Sequence, residues 1–122
     1  MIEVLFRSPA ATAIEDRIFA RDETLHVPHL LDLEVIQVLR RYVRAREISA
    51  ARGGEMLLDL ADMPLTRYAH HPHLPRIWDL RDSATAYDAV YIALAEALDA
   101  PLITCDSRMA SIRGHGALIE LL

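Results

Sequence analysis

A chain of 122 residues, 52% of them hydrophobic, is one domain of ordinary size with enough apolar material for a real core. Its formal net charge of −5 excludes a general electrostatic affinity for nucleic acid and leaves room only for a local basic face. All 13 basic residues are Arg, a bias that a GC-rich genome produces. The lone Cys105 rules out an internal disulfide. No apolar run approaches the roughly 18 residues that span a bilayer, and no charged-then-apolar leader opens the chain. The expected setting is therefore cytoplasmic, without membrane contact.

Helical periodicity covers Ile2 to Phe6, broken near Ser8-Pro9, and residues 10–21, where Ala13, Ile14, Ile18 and Phe19 share a side. Leu25-His26-Val27 reads as a short strand closed by Pro28. A long helix is expected from His29 to Arg46, with Arg40, Arg41, Arg44 and Arg46 in its last turns, where cations suit the helix dipole. Ser49 is placed to cap a helix reaching Met63, although Gly53-Gly54 weakens that pattern. Leu65 to Ala69 reads as a strand, and Leu74 to Arg81 as a helix with Pro75 in its first turn. Thr85 then caps a helix to about Leu98. Leu102 to Cys105 is a strand, Ser107 to Ile112 a helical turn, and Ala117 to Leu121 a last strand. Strands alternating with helices predict a parallel sheet covered by helices, with ligands gathering at the carboxyl ends of strands.

Asp106 stands at such a strand end, and it is equally placed to cap the turn that begins at Ser107. Asp88 interrupts the apolar run Ala86 to Ala95. Thr85-x-x-Asp88 fits a capping box, although Asp is shorter than the usual Glu or Gln partner. Capping leaves open why a carboxylate lies in so apolar a helix, where an unpaired charge is costly. Asp32 and Glu34 both interrupt the long helix. Glu34 shares a face with Leu30, Leu31, Gln37 and Val38, and Asp32 with Pro28, His29, Val35 and Ile36; periodicity does not choose between them. His70-His71-Pro72-His73 has no Cys-x-x-Cys partner and no helical register, so it reads as a loop with incidental histidines rather than a zinc site. Cys105 reads as a small buried residue, and Gly114-His115-Gly116 as a turn. The Arg40, Arg41, Arg44 and Arg46 group is either a solvated helix flank or a phosphate-binding face.

Three segments together carry a resemblance. Val27-Pro28-x-Leu30-Leu31-x-Leu33-Glu34-Val35, Arg81-Asp82-Ser83-Ala84-Thr85-Ala86-Tyr87-Asp88-Ala89 and Pro101-Leu102-Ile103-Thr104-Cys105-Asp106, in this order, resemble the acidic motifs of PIN-domain ribonucleases of the VapC type, the toxins of prokaryotic toxin–antitoxin pairs. The resemblance spans nearly the whole chain. It implies a single domain over residues 1–122, a three-layer α/β/α fold with a short parallel sheet, and Mg²⁺- or Mn²⁺-dependent cleavage of RNA. It assigns the acidic ligands to Glu34, Asp88 and Asp106, with Thr104 as the Thr beside the last of them. It also implies a VapB-like antitoxin and a homodimer. Hard divalent cations held by carboxylates suit phosphodiester hydrolysis.

The family opens with a strand ending in Asp-x-Ser-Ala, which supplies a first acidic ligand, and Met1-Ile2-Glu3-Val4-Leu5 resembles the helix after it. The expectation is a chain lacking its first central strand, roughly nine residues by strand length. Glu3, on the following helix, is no substitute. Either the start lies too far downstream or the form is truncated. In the second case a degenerate PIN domain that binds antitoxin or RNA without catalysis is the alternative to the enzyme.

Overall fold

The computed structural model describes residues 24–121. The helices expected over 2–6 and 10–21, Glu3 and the question of the opening strand lie outside the described residues. The chain divides after Thr66 into two compact units.

The first unit is built around one long amphipathic helix. Strand β1, Leu25–Pro28, has Leu25, Val27 and Pro28 buried. Helix α1, Leu30–Arg44, follows after one residue and buries Leu31, Val35 and Leu39, a stripe at four-residue spacing. It ends two residues earlier than expected. Arg46 turns the chain back with a left-handed backbone at φ +60°, and so leaves the helix. Helix α2, Ala50–Asp62, starts where Ser49 Oγ accepts the Arg52 N–H at 3.0 Å. Met56 and Leu60 project from it into the stripe of α1, joined by half-buried Ile48, Leu57, Met63 and Leu65.

Gly53-Gly54 does not interrupt α2. Gly53 is buried, and a Cβ built on it would stand 3.2 Å from Val43 Cγ2, so this glycine lets the two helices approach. Strand β2, Leu65–Tyr68, pairs with β1 in a two-stranded sheet.

The second unit wraps a short apolar helix. The histidine segment is ordered as a 3₁₀ turn, His71–His73, leading into α3, Leu74–Asp79, with Pro75 in its first turn. Helix α4, Ala86–Leu98, starts at Thr85 as expected. Ala89, Val90, Ile92, Ala93, Leu94 and Ala95 are all buried along it, the pattern of an interior helix. Strand β3, Leu102–Thr104, pairs in parallel with β4, Ile119–Leu121, in the register Leu102↔Ile119, Ile103↔Glu120 and Thr104↔Leu121. The Leu102 N–H donates to Leu118 O at 2.8 Å and extends the ladder. Helix α5, Ser107–Ala110, lies between these strands in the chain. Leu80, Ala89, Ile92 and Met109 form this unit's core, with Ile77, Ala84, Tyr91, Leu102, Ile112 and Ala117 packed on it.

Helices with a short parallel sheet match the α/β expectation. One expectation fails: Cys105 is neither in a strand nor buried. β3 ends at Thr104, where the chain bends toward the cap of α5, and the thiol is exposed. No described helix is long and apolar enough to cross a membrane.

Candidate active site

Asp106 follows β3 by two residues, and three contacts fix it. Its N–H donates to Thr104 Oγ1 at 3.0 Å, which gives Thr104 a definite positioning role. Its Oδ1 accepts the Arg108 N–H at 2.9 Å, making Asp106, not Ser107, the N-cap of α5. The Arg108 guanidinium then closes on the same carboxylate, Nε donating to Oδ1 at 3.2 Å and Nη2 to Oδ2 at 2.8 Å. The guanidinium hydrogen bonds hold the Asp106 carboxyl below its ordinary value, helped by the backbone N–H and by the Arg108 charge, against a small desolvation effect. The Arg108 side chain is 83% exposed and that of Asp106 36%, so water screens the pair and it adds little to stability.

Asp88 is the third residue of α4. The Thr85 hydroxyl accepts its N–H at 3.2 Å, which is half of a capping box. The return bond is not made: among the described residues the Asp88 carboxylate accepts no hydrogen bond, the side chain being one methylene shorter than the Glu that completes such a box. Thr85 therefore does the capping, and the half-buried Asp88 carboxylate is left for another purpose. Its charge acts on Arg108, raising the guanidinium pKa beside the larger effect of Asp106.

Glu34 lies on α1, in the other unit. It is half-buried at the edge of the Leu31–Val35–Leu39 stripe, and so is Asp32, so burial separates the two no better than periodicity did. Among the described residues no three His, Cys, Asp or Glu side chains are grouped to hold a metal. Arg40, Arg41 and Arg44 are all exposed on the last two turns of α1.

Two features escaped the sequence reading. Arg108 is the first; an Asp-x-Arg step after a strand was its only signal. The second is a clamp between α3 and α4. Arg76 Nε donates to Glu96 Oε1 at 2.7 Å and Nη2 to Oε2 at 2.9 Å. The same Nη2 donates to Gly114 O at 2.9 Å, and Glu96 Oε2 accepts the Gly116 N–H at 2.8 Å. Gly114 has a left-handed backbone at φ +85°, a conformation that glycine takes without strain. His115 between them accepts the Ala117 N–H on Nδ1 at 3.1 Å, while Nε2 lies 2.9 Å from Ile112 O, the partners of a neutral ring protonated on Nε2. The clamp thereby fixes the segment that leads into β4.

The α/β frame thus sets Asp106 just past the end of β3 and Asp88 in the first turn of α4. The PIN-domain family model matches residues 1–114, and the chain belongs to that family. It is 39% identical over 121 residues to Ribonuclease VapC12 of Mycobacterium tuberculosis, covering 99% of this chain and 92% of that protein. It is 43% identical to Ribonuclease VapC1 of the same species, over 92% of this chain and 85% of the relative. VapC ribonuclease Mb0985 of Mycobacterium bovis is 43% identical over 88 residues, 72% of this chain and 69% of that protein.

Proposed function

We propose that this chain is a metal-dependent endoribonuclease of VapC type, which cuts RNA phosphodiester bonds and is held in check by a VapB-like antitoxin in the cytoplasm. The observation that carries this reading is the Asp106 carboxylate fixed at the end of β3 by Thr104 and by the cap of α5, in a chain whose relatives are ribonucleases by name. Carboxylate oxygens are the donor type that Mg²⁺ or Mn²⁺ takes. Asp88 and Asp106 would hold the ion, and the family motif assigns Glu34 the role of a further acidic ligand. When bound, such an ion offsets charge building on the phosphate and makes water a better nucleophile near neutral pH.

The chain's own residues do the rest. Thr85 ties the first turn of α4 and so fixes the backbone at Asp88. Thr104 and the cap of α5 hold Asp106 at the end of β3. Arg40, Arg41 and Arg44 are exposed on the last turns of α1 and would be a basic face able to hold an RNA backbone. A homodimer accords with the large apolar side chains left exposed, Leu33, Leu58, Trp78 and Tyr87 among them.

The test is substitution without change of shape. Asp88→Asn and Asp106→Asn should each abolish Mn²⁺-dependent cleavage of RNA while the circular dichroism spectrum stays that of the parent. Full cleavage by either variant sinks the proposed site. A parent that binds RNA or antitoxin but never cleaves would make the chain a binding module instead.

A further inference from the structure

We propose that Arg108 is a built-in counter-cation of the Asp106 carboxylate, and that a divalent ion reaches Asp106 only when the guanidinium lets go. The inference rests on the reading of Asp106 as a metal ligand. Both Asp106 oxygens are engaged by the guanidinium, through the 3.2 Å and 2.8 Å bonds, so its fork covers the two positions from which a carboxylate would grip an ion. An Arg stays protonated at any pH the fold survives, so its competition with a metal is a matter of ion concentration rather than proton concentration.

The arrangement also lets the guanidinium leave without dismantling the site. The Arg108 side chain is 83% exposed, and its release costs no core contact. Asp106 stays oriented, because the cap bond comes from the backbone N–H of Arg108 and the second tether is the Thr104 hydroxyl. The side chain can therefore swing away while the main chain keeps the carboxylate in place. Were Arg108 instead a brace that holds Asp106 ready, its loss would weaken metal binding. The two roles predict opposite signs.

Mn²⁺ is titrated into the full-length protein and the free ion is followed by electron paramagnetic resonance, with melting by circular dichroism as a check on folding. Arg108→Gln should bind Mn²⁺ about fivefold more tightly than the parent, the scale of losing one exposed competing ion pair. Arg108→Lys keeps the charge but loses the fork, and should fall between the two. Equal or weaker binding by Arg108→Gln, beside a parent that does bind, overturns the proposal and leaves the metal site standing. If Arg108→Gln fails to fold, Arg108→Lys decides alone, and unchanged or weaker binding there overturns it. Absence of Mn²⁺ binding in the parent and both Arg108 variants removes the metal site itself, and the proposal with it.

Discussion

Replacing Glu96 by Gln probes the clamp that secures the second unit. The carboxylate takes three N–H donors, two from Arg76 and one from Gly116, at 2.7 to 2.9 Å. Gln keeps one oxygen and turns an NH₂ toward the remaining donors. Hydrogen bonds to charged groups contribute roughly 1.5–3 kcal/mol each when well shielded. The side chains here are 37% and 21% exposed, for Arg76 and Glu96, so screening lowers that figure. The expected loss is about 1–2 kcal/mol, or about 3–6 °C in melting temperature for a chain of this length. The sign with pH follows from the same contacts. The Arg76 hydrogen bonds hold the Glu96 carboxyl below its ordinary value, with the Gly116 N–H and the Arg76 charge adding to them against the desolvation effect. A depressed carboxyl stabilises fully above the unfolded value of about 4.3 and loses that stabilisation as pH falls through its lower folded value. The gap between parent and Glu96→Gln should therefore be full at pH 7 and close below about pH 4. Thermal melts of the parent, Glu96→Gln, Arg76→Met and the double variant test this, with a coupling of about 1 kcal/mol expected at pH 7. Equal melting temperatures for parent and Glu96→Gln at pH 7, or strictly additive single losses, would refute the account.

Thr85→Ala should cost about 1 kcal/mol in a denaturant melt, because the Asp88 N–H loses its acceptor. It should lower cleavage far less than Asp88→Asn does, and equal losses would mean that Asp88 acts mainly through the cap. Glu34→Gln should weaken Mn²⁺ binding while Asp32→Asn leaves it unchanged. The reverse ranking in a titration would place the ligand two residues earlier on α1.

Local chemistry by itself determined where most elements begin. Ser49 and Thr85 offer hydroxyls to N–H groups three residues on, and Pro75 fits a first helical turn, so these starts were legible in the sequence. The strand-end position of Asp106 was legible for the same reason: an apolar run stops and a capping residue follows. The family was carried by the order of three motifs, which no single element supplies. What the sequence could not decide depended on neighbours distant along the chain. Gly53 looked like a helix breaker until α1 came close enough for Val43 to need the space that a side chain would take. Cys105 looked buried because it continues an apolar run; only the parallel register, ending at Thr104↔Leu121, shows the strand stopping one residue short of it. Arg76 meets Glu96 across 20 positions and Gly114 across 38, spacings with no helical or strand period to announce them. Arg108 lies only two residues from Asp106, yet only the turn into α5 closes its guanidinium on both oxygens of that carboxylate. Periodicity reports which face a residue occupies, and folding alone reports which charges from different elements come to share that face.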